Sequence, residues 1–453
     1  MRHRTTFAVL LPVVTLLFVA CGGGRGRSAF EEKELADAGL EGSTGFAPPK
    51  PCATLDCKRV QCEGDAKTTL TGKVYDPAGA TPLYNVQVYI PGGVDPDGPL
   101  PPLADSTADG IKCETCSNVV LNPLASALTN EKGEFTLENV PVDMNVPVVV
   151  QVGKWRRKLH VDITEKCTEN VAPDKTLTLP KNGTEGDMPQ IAVTTGSADA
   201  LECLLRGIGV DEDEFVTGHG GTGHVHLFKG SGGKLGAPAE SFWNDTEQLK
   251  KYDLVMLSCE GTETLTNKGG DAPDARSQMY EYLNAGGRVF ATHYHFVWFE
   301  FSPQEEFKQL ATWEGAGGEN PYQVNMTFPK GEKLAQWLVE SGASSTLGEI
   351  ELNASSVTKS VAALNEPAIA WISSGAVPKY FSFNTPISAP TEEQCGRAVF
   401  SDLHVTGSAG GGSIGGCAVG PGALNAQQKA MEFLFFDLSS CVQDDKVPPN
   451  PPK

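Results

Sequence analysis

The sequence predicts a multi-domain chain in which an N-terminal antiparallel β-sandwich precedes a C-terminal α/β domain. Two textures carry this expectation. From Thr69 to Glu165 short β-branched runs alternate apolar and polar residues between turns, whereas after Pro180-Lys181-Asn182-Gly183 apolar runs alternate with stretches of helical spacing. A third observation sets the compartment. Arg2 and Arg4 precede an apolar run from Phe7 to Ala20 and the chain holds 12 cysteines, a combination that fits export to an oxidising environment. With 453 residues, 40% hydrophobic and 20% charged, the chain has ample core for two or three domains and is too apolar to be a disordered polymer. Its formal charge of -20, with no long basic block, argues against nucleic acid as a partner, because that affinity comes from Lys and Arg displacing counterions.

The Phe7 to Ala20 run is too short to span a bilayer and has the charged head and apolar body of a secretory signal. It ends in Leu17-Phe18-Val19-Ala20-Cys21, which resembles a bacterial lipobox. That resemblance implies removal of residues 1–20, lipidation of Cys21, and anchoring to a membrane through lipid alone. Gly22 after the cysteine resembles the choice of outer-membrane lipoproteins, so the outer membrane is expected over the inner. Residues 21–51 open with Gly22-Gly23-Gly24 and lack any apolar period, so they read as a flexible tether.

The sandwich is expected over residues 52–180. Thr69-Leu70-Thr71-Gly72-Lys73-Val74-Tyr75 and Asn85-Val86-Gln87-Val88-Tyr89-Ile90 read as strands around the turn Asp76-Pro77-Ala78-Gly79. Ser126 to Thr129 and Glu134 to Leu137 flank Asn130-Glu131-Lys132-Gly133 as a hairpin, and Val146 to Val152 and Lys158 to Ile163 supply two more strands. Residues 69–165 resemble the carboxypeptidase regulatory-like (transthyretin-like) β-sandwich, through Leu70 to Asp76, the Thr129 to Leu137 hairpin and Val140-Pro141. In that family the module is accessory and carries no chemistry of its own. A Pro- and Gly-rich insertion over roughly residues 92–125 departs from it. Lys154-Trp155-Arg156-Arg157-Lys158 is a basic cluster, read as a solvated strand or hairpin rather than a grip on an anionic glycan or headgroup.

Cys52, Cys57, Cys62, Cys113, Cys116 and Cys167 surround the sandwich, and structural disulfides are a better expectation there than a zinc site, with connectivity open. Five cysteines follow in the α/β region. Cys395, Cys417 and Cys441 are expected to be bridged near a late Gly-rich loop, leaving Cys203 or Cys259 as the free thiol.

The α/β domain is expected over residues 188–441. Pro189 to Thr195, His224 to Phe228, Asp253 to Ser258, Arg288 to Thr292 and Arg397 to Ser401 read as strands; Asp199 to Ile208, Phe242 to Tyr252, Asp274 to Ala285 and Leu424 to Leu438 read as helices. Such alternation implies a largely parallel sheet, whose ligands sit at the carboxyl ends of strands. The residues leaving those strands are Cys259-Glu260, His293-Tyr294-His295 and Asp402-Leu403-His404. Residues 442–453 read as a disordered tail.

Over residues 188–441 the chain resembles the class I glutamine-amidotransferase-like fold, a flavodoxin-like architecture, and within it the ThuA-like branch. The carriers are Tyr252 to Leu257, Leu283-Asn284-Ala285-Gly286-Gly287-Arg288-Val289-Phe290-Ala291-Thr292-His293 and Gly396 to His404. True amidotransferases need a nucleophilic cysteine on a tight elbow, and the equivalent turn here carries His293-Tyr294, so glutamine hydrolysis is not expected. Cys259 reads as a buried small residue or a disulfide half.

His293 and His404 are candidates for general acid and base, or for a metal site with His295 and Glu260. No tight metal-ligand spacing supports the second option, and no cofactor motif is present. His219, His224 and His226 read as part of a mobile Gly-rich loop, and Trp298, Phe299, Phe301 and Trp313 as core rather than a sugar-stacking surface. The expectation is an envelope-anchored lipoprotein that binds a carbohydrate or another envelope component without catalysis. The alternative is a hydrolase or sugar-modifying enzyme that uses His293 and His404.

Overall fold

The computed structural model describes residues 54–93, 95, 98–113, 122–269, 274–353, 357–405 and 413–449. The signal, the expected lipidation at Cys21, the tether, Cys52 and Cys116 lie outside these residues. No helix among the described residues is long and apolar enough to cross a membrane.

Eight strands form two four-stranded sheets. In one, Thr69–Tyr75 pairs with Glu134–Glu138, Glu169–Val171 and Leu177–Thr178; the other runs Pro123–Leu128, Gln87–Pro91, Asp143–Val152, Trp155–Ile163. Every second residue of Glu134–Glu138 is buried, as a half-covered sheet requires. Two expectations need correction. Asn130 to Gly133 does form a tight turn, with Gly133 at φ +73° and the Asn130 side chain accepting from the amides of Lys132 and Glu134. Its flanking strands, however, belong to opposite sheets, so the turn is a crossover and not a hairpin. Nor is the sandwich purely antiparallel, because Glu169–Val171 and Leu177–Thr178 run parallel to Thr69–Tyr75. The returning chain is held there by the Cys62–Cys167 disulfide and by Asn170, whose side chain accepts from Thr164 and Glu165 and donates to Thr69.

The second half builds an 11-stranded sheet. Phe215–Thr217, Val225–Lys229, Ile191–Thr195, Leu254–Leu257, Arg288–Thr292 and Gly396–Ser401 lie side by side and parallel. Val377–Thr385, Ile369–Ser374, Tyr322–Val324 and Glu349–Ile350 then extend it antiparallel, so the parallel part expected from sequence carries an antiparallel wing. The stretch expected as one helix from Phe242 to Tyr252 is two single turns, Glu240–Trp243 and Thr246–Leu249, because Asp245 breaks the first and caps the second through the Glu247 amide.

The helix Ala426–Ser439 joins the two halves. Asn425 and Gln428 form a capping box at its start, and Met431, Phe433, Leu434, Phe435, Phe436 and Leu438 spread apolar side chains over several faces, so it is buried from Ala430 to Ser439. Trp155 packs edge-on against Phe435 and Phe436, Tyr84 stacks on Phe433 at 5.7 Å, and one continuous core runs from Leu70 through the helix to Trp371. Cys52–Lys453 is accordingly one compact unit.

The same junction absorbs the basic cluster, which is neither solvated nor free for an anion. Lys154 pairs with Asp253 at 2.6 Å, Arg156 with Asp187 at 2.8 Å and Arg157 with Glu185 at 3.1 Å, while Lys158 donates to the Gly98 carbonyl. The insertion docks on the α/β half as well: Ser106 donates to Asp253 and the Ile111 amide to Lys250. This carries Cys113 away from the sandwich cysteines to Cys395, so a disulfide crosses between the halves. Cys203, expected as a possible free thiol, is bridged to Cys417 instead, and Cys57 and Cys441 are disulfide-bonded too.

Of the residues read as a tail, Val442 and Asp445 are buried, whereas Lys446 to Pro448 are exposed. Asp445 is buried with Asp437 in a network that Lys330 and Arg397 complete: Lys330 reaches the two carboxylates at 2.7 and 3.0 Å, and Arg397 at 2.9 and 2.7 Å. Two cations against two anions leave no net charge in the core, whereas removing one partner strands a buried charge. Arg397→Met is therefore expected to lower unfolding free energy by about 3–5 kcal/mol in guanidinium titrations.

Asp76, from the sandwich, and Glu432, from the joining helix, are both fully buried and face each other. Burial raises Asp76 to about 6 and Glu432 well above its usual range, with the mutual repulsion adding to the latter. A carboxyl raised on folding stabilises fully below its unfolded pKa, and this contribution is lost as pH rises through the folded value. Glu432→Gln is expected to leave the melting temperature nearly unchanged at pH 4 and to raise stability at pH 8 by on the order of 1–3 kcal/mol.

Candidate functional site

Sheet order decides which strand-end residues can meet. Leu254–Leu257, Arg288–Thr292 and Gly396–Ser401 are consecutive neighbours, so Cys259, His293 and His404, which follow them, converge at one edge. Cys259 Sγ lies 3.3 Å from His293 Nδ1, and the His293 and His404 ring centroids are 5.4 Å apart. The sulfur and one nitrogen from each ring all lie within 4.8 Å of one another. Cys259 is fully buried, His404 is 6% exposed, and His293 is only partly covered.

Each side chain is fixed through its backbone. The Cys259 amide donates to Thr292 Oγ1 at 2.9 Å, Thr292 donates to the Leu257 carbonyl, and the Ala198 amide donates to the Cys259 carbonyl. Gly196 makes room for this approach, since a Cβ there would collide with the Cys259 backbone. His293 sits at φ +43°, between the Arg288–Thr292 strand and the 3-10 turn His293–Phe296. A left-handed non-glycine residue costs on the order of 1 kcal/mol or more and persists only where surrounding structure over-determines it. For His404, Gln427 of the joining helix donates to its carbonyl at 2.6 Å, and the following Val405 amide donates to Asp199 Oδ1 at 2.8 Å. His404 Nε2 is buried without a hydrogen-bond partner among the described residues, as is Asp199 Oδ2.

Burial sets the charge states. It pushes the Cys259 thiol up to about 12, against the Tyr294 and Gly261 amides that point at the sulfur. It drives His293 down to about 3, helped by repulsion from His404 and Lys379. Asp199 is raised by burial and partly held down by His404. At neutral pH the cluster therefore presents a neutral thiol, a weak hydrogen-bond donor, and a neutral His293 imidazole, and offers neither a thiolate nucleophile nor a cationic acid.

The other candidates are engaged elsewhere. His295 is buried, accepting from Trp298 Nε1 at Nδ1, so its Nε2 carries the proton donated to the Ser258 carbonyl, both at 2.9 Å; burial lowers it to about 4. It has no nitrogen left for a metal. Glu260 forms a buried ion pair with Lys268 and accepts from the Ser231 amide. Lys268 in turn lies over the Trp243 and Trp298 rings, 4.9 and 5.8 Å from their centroids. Asp402 accepts from Thr358 Oγ1 and the Ser360 amide and pairs with buried Lys379. These three hold the loops that carry the cluster and do not join it.

His224 pairs with Glu214, His226 is buried with both nitrogens near the Gly218 and Gly223 carbonyls, and His219 meets Tyr252, so this trio pins its loop. Trp298 and Phe299 are buried, and Phe301 and Trp313 pack against the same core, so no sugar platform forms. Asp199, Lys268 and Lys379 were not singled out from sequence. Asp199 follows the strand Ile191–Thr195, so the strand-end rule that found Cys259 applies to it equally.

At pH 8 a thiol with a pKa near 12 is ionised in about one molecule in ten thousand. Iodoacetamide is expected to leave Cys259 unmodified in the native chain and to alkylate it fully in guanidinium, read by mass spectrometry of the Cys259 peptide.

No protein-family model matches the chain, and no curated protein does. Among solved structures the chain is similar to a ThuA-like protein from Bacteroides uniformis, at 10% identity and TM-score 0.29 over 55% of this chain and 90% of that one. It is similar to a cytoplasmic protein from Salmonella typhimurium at 10% identity and TM-score 0.30, over 56% and 100%. A type II cohesin–X-dockerin complex from Acetivibrio cellulolyticus gives 16% identity and TM-score 0.17, over 30% and 79%. Similarity at this level leaves function to be argued from the chain's own residues.

Proposed function

We propose that this chain is an exported lipoprotein of the cell envelope, anchored through Cys21, in which a transthyretin-like sandwich carries a flavodoxin-like, ThuA-like α/β domain. The α/β domain holds a ligand at the carboxyl edge of its parallel strands without turning it over. One observation carries this reading: buried Cys259 and His404 and partly covered His293 converge from three adjacent strands, in a setting that suppresses both a thiolate and a protonated His293. Export is supported by three disulfides among the described residues.

A second reading, an enzyme with His293 and His404 as acid and base, is favoured by the 5.4 Å between their rings. Ligand capture separates the two. The unit from Cys52 onward is screened against envelope glycans, small metabolites and metal ions, beside His293→Ala with its fold checked by circular dichroism. The binding reading expects stoichiometric capture, recovery of unchanged ligand, and weakening on the order of tenfold in the variant. Product formation that disappears in His293→Ala would establish the enzyme reading instead.

A further inference from the structure

We infer that Cys259, His293 and His404 form a site for one thiophilic divalent ion of the Zn2+ class. This rests on the donor-built ligand site proposed above and names its occupant.

The geometry is close to what such an ion needs. Zinc bonds of about 2.3 Å to sulfur and 2.0–2.1 Å to nitrogen place tetrahedral ligand atoms roughly 3.3–3.7 Å apart. The Cys259 sulfur and His293 Nδ1 are already 3.3 Å apart, and no pair among the three donors exceeds 4.8 Å. Closing the remainder takes a shift of about an ångström, within reach of small χ adjustments. The donor chemistry selects the class: one sulfur and two imidazoles suit Zn2+ and its neighbours, whereas Mg2+ and Ca2+ require oxygen ligands.

Two observations independent of the cluster's shape point the same way. His404 Nε2 is buried with no hydrogen-bond partner among the described residues, a desolvation cost that an ion at this site would offset. Cys259 is the free cysteine among the described residues of a chain whose other described cysteines are bridged. An oxidising compartment would be expected to leave a thiol here only where no partner cysteine can reach it, and a site ligand gives that thiol a use.

Charge also balances. On binding, the Cys259 S–H bond breaks, its electron pair forms the S–Zn bond, and the proton leaves to solvent. The resulting ion–thiolate pair carries one positive charge. Asp199, fully buried and electrostatically coupled to His404, is raised by burial, so it balances that charge by giving up its own proton to solvent as the ion arrives, and its Oδ2 has no hydrogen-bond partner among the described residues. Three protein ligands leave a fourth position open, and partly exposed His293 marks the side from which a water or a second ligand would reach it.

The test uses the whole purified chain, stripped with a chelator and dialysed against Zn2+ and, separately, Co2+. The expected result is one ion per chain by elemental analysis, with a thiolate-to-cobalt charge-transfer absorption and the intense visible bands of a tetrahedral site. Cys259→Ser and His404→Gln should abolish binding, Asp199→Asn should weaken it about tenfold or more, and His219→Ala should leave it unchanged. Failure of wild-type chain to retain an ion, or a cobalt spectrum without thiolate character, overturns the inference whether or not any variant folds. So does binding that persists in both Cys259→Ser and His404→Gln. A chain that takes no ion but captures an organic ligand in a His293-dependent way overturns the metal and leaves the binding site standing; one that captures neither overturns both.

Discussion

Burial of a single helix underlies the rest of the molecule. From Ala430 to Ser439 every residue of the helix Ala426–Ser439 is buried, most of them apolar, and a helix covered on all sides has no stable place except between two layers. The sandwich, through Trp155 and Tyr84, supplies one layer and the mixed sheet supplies the other. Once seated, the helix does more than fill space. Its Asp437 anchors the Lys330 and Arg397 network, and its Gln427 holds the backbone of His404. The sandwich and the candidate site are thus connected through one rigid element, although no sandwich residue belongs to the cluster.

Much of the α/β half was legible because its signals are local. The apolar runs at Ile191, Leu254 and Arg288 announce buried strands, and the rule that ligands collect at strand ends led directly to Cys259, His293 and His404. What the sequence could not convey is long-range. Alternation around Asn130 to Gly133 identifies two strands and a turn, yet period-two patterning is the same whether the strands pair with each other or with different sheets. The Lys154 to Lys158 cluster looks solvated because its counter-charges, Asp187 and Asp253, lie far along the chain. Cys113 looks like a sandwich cysteine until its segment docks on the α/β half.

The candidate site shows the same division. Residue type and strand position put His295, Glu260 and Asp402 on equal terms with His404, and only their partners separate them. Trp298 takes one nitrogen of His295, Lys268 takes Glu260 and Lys379 takes Asp402. The left-handed φ of His293 is also invisible in sequence, since histidine at that position has an ordinary propensity for many conformations. It turns the chain sharply at the end of the Arg288–Thr292 strand and brings the imidazole to 3.3 Å from the Cys259 sulfur.

The bridge between Cys113 and Cys395 spans 282 positions of sequence and that between Cys203 and Cys417 spans 214. During synthesis from the N-terminus, Cys113 and Cys203 emerge long before their partners and must wait as thiols or in temporary pairings. Cys259 emerges in the same interval. Its burial at the sheet edge withdraws it from exchange in the folded chain, which leaves the bridged cysteines with one another as partners.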